Sequence, residues 1–279
     1  MTESPRITVL ITGSSSGFGR AAARLFRARG WNVVATARQA DAWADEPAAA
    51  DLLTCALDVT DPVSVDAAVA AAVQRFGRLD CVVNNAGAGL LSVFENTPMA
   101  TVRELFDTNV FGVMEVTRAA LPHLAASGGR VVTVSSGAAV VPEPLMSVYS
   151  ATKFAVEGFT ESLRHELARR GVGVKLIEPG LVRGTNFVQR AAEASAAVPV
   201  PPAYQDYVAQ VMAGFQQESP YRPATESEVA EAIVTAATED TTQLRHVIGE
   251  DNEVAVHMRR ETSEKDYNEW SLARAGTAG

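Results

Sequence analysis

The chain has 279 residues, 47% hydrophobic and 20% charged, with a formal net charge of −9. That composition can bury a substantial core and excludes a wholly disordered chain. The acidic balance argues against nucleic-acid and membrane-surface binding, both of which rely on basic patches. Two cysteines, Cys55 and Cys81, cannot build a disulfide framework and suit a reduced, cytoplasmic setting. The first residues carry no basic segment followed by an apolar one, so no signal peptide is expected, and no apolar run reaches the roughly 18 residues of a membrane span.

In chain order, short apolar runs alternate with segments rich in helix formers. Strands are predicted over residues 7–11, 32–36, 53–57, 79–83, 130–135, 173–177 and 246–249. Helices are predicted between them over 19–29, 62–76, 99–126, 147–170 and 226–238. Gly30 suits a C-terminal stop, Asp61 before Pro62 suits a helix start, and Thr225 suits another. Residues 39–50 and the proline-containing stretch 181–224 read as irregular, and the polar residues 259–279 as a loose tail. Repeated βα units joined by right-handed crossovers imply a single α/β domain, a doubly wound parallel sheet with helices on both faces.

The first strand leads into Thr12-Gly13-Ser14-Ser15-Ser16-Gly17-Phe18-Gly19 and then into a helix. A glycine-rich turn at that junction lets backbone N–H groups and a helix N-terminus approach a pyrophosphate, which makes the sheet Rossmann-type. Tyr149 and Lys153 stand four apart in a helical segment, so their side chains share one face. A phenol ordinarily loses its proton near pH 10, and an adjacent ammonium favours the phenolate, so the lysine is expected to lower the tyrosine toward neutral pH. Tyr149 would then act as acid in carbonyl reduction and as base in alcohol oxidation. Ser136, at the end of the fifth strand, would donate a hydrogen bond to the substrate oxygen.

The three-one spacing of Gly13, Gly17 and Gly19 resembles that of the classical short-chain dehydrogenase/reductase family. The likeness continues in order through Asn84-Asn85-Ala86-Gly87, Asn109, Ser136, Tyr149, Lys153 and Pro179-Gly180, over roughly residues 6–250. It implies a catalytic tetrad of Asn109, Ser136, Tyr149 and Lys153. Lys153 would also bind the nicotinamide ribose hydroxyls, and Asn109 would reach it through a water. The resemblance further implies cofactor contacts from Gly13, Ser15, Ser16, Gly17, Phe18, Gly19, Asn85, Ala86, Gly87, Pro179, Gly180 and Val182, with Asp58 and Val59 at the adenine. The threonine after Pro179-Gly180 falls at Thr185, one residue later than is common, which leaves its contact with the nicotinamide amide open. Members commonly form dimers or tetramers through two long helices, so a homo-oligomer is expected.

Cofactor choice turns on the end of the second strand. An acid there would bind the ribose diol and repel a 2′-phosphate; this chain has Ala37 followed by Arg38, which favours NADP(H), with NAD(H) still possible. Ser16 stands where some NADP-dependent members carry a basic residue, and it weakens that preference slightly. The expected reaction is hydride transfer between NADP(H) and a carbonyl or secondary alcohol. The aromatic and apolar residues Phe187, Tyr204, Tyr207, Val208, Met212, Phe215 and Tyr221 of the variable segment suggest a hydrophobic substrate, although several have the spacing of ordinary helix packing. The alternative is a non-catalytic NADP(H)-sensing regulator on the same fold; the complete tetrad favours an enzyme. A sugar-nucleotide epimerase of the extended relatives would need two residues between the second and third glycines, where this chain has only Phe18. His123, His165, His246 and His257 are scattered, so no metal site is expected.

Overall fold

The computed structural model describes residues 6–182, 185–216 and 220–275. Seven strands form one sheet: β1 Thr8–Ile11, β2 Asn32–Ala37, β3 Leu52–Ala56, β4 Cys81–Asn84, β5 Arg130–Val134, β6 Gly173–Pro179 and β7 Arg245–Ile248. Their order is β3-β2-β1-β4-β5-β6-β7, and every neighbouring pair is parallel. The helices are α1 Gly17–Ala28, α2 Pro62–Phe76, α3 Met99–Phe106, α4 Gly112–Ser127, α5 Ser147–Ala168, α6 Asn186–Ala196, α7 Gln205–Gln216, α8 Glu226–Thr238, α9 Glu250–Glu261 and α10 Glu264–Arg274. The doubly wound α/β architecture is the one the alternating pattern called for.

Period-two alternation sorts the strand residues between two apolar layers. Val9, Ile11, Val33 and Ala35 pack with Phe26 of α1 and Val229 and Ile233 of α8. Leu10 and Val34 pack with Val65 and Val69 of α2 and Val116 and Leu124 of α4. Strands covered on both faces have no polar side, which is why they read as continuous apolar runs. The strand order reverses direction beside β1, between the crossovers to β2 and to β4, and that opens a crevice beyond the strands' carboxyl ends.

Several helix ends follow local chemistry. Asp61 accepts a hydrogen bond from Val63 N ahead of Pro62, and Gly77 closes α2 in the left-handed region at φ +75°. Thr225 and Glu228 form a reciprocal capping box at the start of α8. Thr225→Ala is therefore expected to cost about 1 kcal/mol and lower Tm by about 2–4 °C, with Thr225→Ser recovering most of it in thermal unfolding.

Four segments differ from the sequence reading. The long helix predicted over 99–126 is divided by a π-helical turn at Asp107–Phe111, which carries Asn109. Residues 39–50 include a 3-10 turn, Ala40–Trp43, whose Trp43 is 3% exposed and belongs to the core. The stretch 181–224, expected to be irregular, contains α6 and α7; the prolines mark the connections between helices and do not interrupt them. The expected loose tail instead continues α9 to Glu261 and adds α10. Both helices are strongly polar, so they escape a search for apolar periodicity. Ala255 and Tyr267 nevertheless bury against Val140 and Val141, and Ser263 caps α10 by accepting from Asp266 N.

Candidate active site

A cavity of about 1150 Å³ lies at the carboxyl ends of the central strands. At one end is the glycine turn between β1 and α1. Gly13 has φ +65°, and a Cβ there would lie 2.7 Å from Ala86 Cα. A Cβ on Gly19 would lie 2.5 Å from Asn85 Nδ2, whereas Gly17 at φ +55° faces open space. Gly13 and Gly19 thus permit close packing, and Gly17 leaves room in the cavity. Gly13, Ser15, Ser16, Gly17 and Phe18 line it, but Gly19 does not.

The turn is stitched to its neighbours. Thr12 Oγ1 accepts from Asn85 N and Ala86 N, both at 3.0 Å, while Asn85 Nδ2 donates to Thr12 O and Gly13 O. Asn85 and Ala86 line the cavity, and the Asn85 amide is engaged in holding the turn. Ser14 Oγ donates to Thr36 O and accepts from Trp43 Nε1 at 3.2 Å. Arg20 stacks 4.7 Å from the centroid of the Trp43 ring and donates to Ser15 O. The sequence reading missed Ser14, Arg20 and Trp43; the lone tryptophan in a connection otherwise of alanine, acidic residues, Gln39 and Pro47 was the available signal.

At the edge of the turn, Ala37 is buried and the exposed Arg38 lines the cavity, free of any salt bridge among the described residues. Asp58 Oδ1 accepts from Thr60 N at 2.9 Å and Thr60 Oγ1 at 2.7 Å. These bonds hold its carboxyl below the usual range, with a smaller contribution from Arg38. Val59 lines the same wall.

At the other end, Ser136, Tyr149 and Lys153 converge on the cavity. Ser136 Oγ accepts from Ala138 N at 3.1 Å and so caps the turn after β5. With that acceptor site filled, its O–H can turn toward the Tyr149 phenol, whose proton loss it favours. Lys153 Nζ donates to Val134 O at 3.0 Å and lies 5.8 Å from the Tyr149 ring centroid. The sequence-based expectation of a lowered tyrosine is not met in this arrangement. Burial pushes the Tyr149 phenol up to about 12, and the Ser136 hydroxyl opposes that only in part. Burial also brings Lys153 down to about 8. The ammonium lies over the ring, and desolvation is the largest cause of the phenol's shift.

Asn109 does not line the cavity. Its Oδ1 accepts from Ala88 N, and its Nδ2 donates to Ala88 O and Thr152 Oγ1, so it fixes the loop that follows Gly87 to the helix bearing Lys153. Gly87, Pro179, Gly180, Val182 and Thr185 all line the cavity. Thr185 Oγ1 accepts from Val188 N and caps α6. The intervening Arg183 and Gly184 lie outside the described residues.

The wall beyond Tyr149 is largely apolar and includes Val141, Met146, Phe187, Val211 and Trp270. Phe187 stacks 6.0 Å from Tyr149 between ring centroids. The C-terminal helices complete this wall, which the sequence reading did not foresee. Asn252 donates to Glu178 O at 2.7 Å, and a Cβ on Gly137 would collide with Asn252 Oδ1. Arg274 pairs with Glu143 at 2.7 Å and lies 5.3 Å from the Trp270 centroid. Among the described residues, no cluster of three or more His, Cys, Asp or Glu is placed to hold a metal. No described helix is long and apolar enough to cross a membrane.

The family description "short chain dehydrogenase" matches residues 7–196. The uncharacterized oxidoreductase YusZ of Bacillus subtilis is 36% identical over 256 residues, 86% of this chain and 88% of that one. The uncharacterized oxidoreductase C162.03 of Schizosaccharomyces pombe is 40% identical over 176 residues, but the match spans only 60% of that relative's length and 62% of this chain. Among solved structures, a short-chain dehydrogenase from Streptomyces avermitilis superposes with a TM-score of 0.81 at 35% identity, covering 99% of this chain and 100% of that one. The closed form of a serine dehydrogenase complexed with NADP+ gives 0.72 at 28% identity, over 86% and 94% of the two chains. The order of motifs, the sheet topology and these matches agree: the chain belongs to the short-chain dehydrogenase family of oxidoreductases.

Proposed function

We propose that the protein transfers a hydride between NADP(H) and a carbonyl or secondary-alcohol substrate of hydrophobic character. The observation that carries this reading is one cavity joining the open Gly17 turn to the convergent Ser136, Tyr149 and Lys153 side chains. The cradle fits a dinucleotide: Gly17 leaves space where any other side chain would intrude, and the first turn of α1 contains no acid to repel phosphates. A bound nicotinamide would supply the hydride. Tyr149 Oη would give its proton to the substrate oxygen in reduction, Ser136 Oγ would donate to that same oxygen, and Lys153 Nζ would hold the ribose and favour a phenolate when the tyrosine gives up its proton. Asn109 would act by fixing the Ala88 backbone and the Thr152 turn of α5, with the implied water link to Lys153 as an additional role.

The buried Ala37 and free Arg38 support NADP(H) over NAD(H), as does the NADP+ complex of the serine dehydrogenase. A Burkholderia phymatum relative, 25% identical, is complexed with NAD, so the preference rests on Arg38 and not on the fold. Phe111, ahead of α4, and Phe154 of α5 are 54% and 43% exposed, which favours a homo-oligomer packed through these helices.

A panel of ketones and aldehydes of graded size, with NADPH or NADH as the reductant, tests the reading. Turnover is expected with NADPH, at a kcat/KM at least about tenfold above that with NADH, which corresponds to about 1.4 kcal/mol of phosphate recognition. Tight NADPH binding with no turnover across the panel would favour the regulator instead.

A further inference from the structure

We infer that Glu157 is a positioning residue for Lys153: its carboxylate, anchored by Arg245, is the fixed counter-charge of that lysine inside the dry wall of the site. Lys153 is 7% exposed, and its one hydrogen bond among the described residues goes to the neutral Val134 carbonyl. A carbonyl does not neutralise an ammonium, and an uncompensated buried charge costs several kcal/mol. Tyr149, Lys153 and Glu157 follow one another at four-residue steps along α5, which places them on one face. Glu157 is as buried as the lysine. Its Oε2 accepts from Arg245 Nε at 2.9 Å, while its buried Oε1 has no hydrogen-bond partner among the described residues. The carboxylate thus retains unanswered acceptor capacity on the residue one helical turn beyond Lys153, at more than ion-pair distance from its ammonium.

The surrounding charges support the same pairing. Arg245 of β7 is shared: it also reaches Glu161 of α5 at 2.8 Å and the fully buried Glu178 of β6 at 3.2 Å. Arg260 of α9 meets Glu178 at 3.0 Å. Arg245 is thus divided among three carboxylates, while Arg260 also serves Glu178 and Arg164 also acts on Glu161, so Glu157 has only a share of one guanidinium. Burial drives Lys153 toward the neutral amine, and Glu157 is the group that opposes it. Glu157 also raises the Glu178 carboxyl, which burial has already pushed up.

The inference rests on the catalytic reading of Lys153, but its test needs neither cofactor nor substrate. The chain has only three lysines, Lys153, Lys175 and Lys265, so carbon-13 labelling of lysine gives a titration with three resolvable signals. Glu157→Gln is expected to lower the Lys153 midpoint by about one pH unit or more, the effect of removing a nearby opposite charge. Glu161→Gln, which removes the exposed carboxylate on the same arginine, should leave Lys153 in place. Glu157→Asp should restore most of the midpoint. If the glutamine variant does not fold, Glu157→Met carries the same expectation with different packing demands. In turnover, the alkaline limb of the pH profile should move down with the Lys153 midpoint, with activity returning at lower pH. An unmoved Lys153 midpoint in a folded neutral variant overturns the inference. A moved midpoint in a protein with no turnover would uphold it and refute the catalytic reading instead.

Discussion

Tyr149→Phe is expected to lower carbonyl-reduction turnover by about 100- to 10,000-fold, the range typical of losing a positioned general acid. NADPH affinity should stay close to that of the unaltered protein, because the glycine turn, Arg38 and Lys153 hold the cofactor in the proposed arrangement. With its phenol near 12, Tyr149 keeps its proton at neutral pH and is ready to act as an acid. Lys153, down near 8, loses its charge on the alkaline side well below an ordinary lysine. Reduction is therefore expected to decline as pH rises through about 8, where the ammonium that supports proton transfer becomes an amine. Oxidation needs the phenolate and should depend more steeply on that charge. Steady-state kinetics against pH, with NADPH affinity measured separately by fluorescence titration, checks both. If the phenylalanine variant keeps more than about a tenth of turnover, the tyrosine is not the proton donor, since a general acid contributes at least about 100-fold.

Arg38→Ala is expected to weaken NADPH binding roughly 10- to 150-fold, because charge-assisted hydrogen bonds contribute about 1.5–3 kcal/mol. NADH, which has no 2′-phosphate, should bind nearly as before. Ala37→Asp should shift preference in the same direction, by repelling the phosphate and offering the ribose diol an acceptor. Arg38 is exposed and has no competing carboxylate in a salt bridge among the described residues, so its guanidinium is available to a ligand. Equal losses for both cofactors would make Arg38 a support of the loop instead of a reader of the phosphate.

The strands and the capped helices were legible because burial on both faces and capping chemistry leave direct marks: α2 between Asp61 and Gly77, and α8 from Thr225, have the predicted bounds. The segments bearing Ser136, Tyr149 and Lys153 were legible for the same reason, as a buried strand end and a long helix. What escaped depends on contacts distant in sequence. Tyr267 and Trp270 become a wall only because Val140 and Val141 lie opposite, and nothing in the polar sequence of α9 and α10 announces that partner. The direction of the tyrosine shift escaped for a related reason. Spacing placed the lysine near the ring, whereas the balance between its charge and the lost hydration depends on depth of burial, which a spacing does not record.

The chain's three tryptophans stand at three different places: Trp31 in the core against Phe26, Trp43 beneath the glycine turn, and Trp270 on the wall beyond Tyr149. That distribution makes the molecule its own optical instrument. A variant keeping only Trp43 would report loading of the dinucleotide end, and one keeping only Trp270 would report the arrival of substrate. Trp31, sealed away from both, would serve as the reference emission for unfolding. The two halves of the cavity can therefore be followed separately in solution, without any attached dye.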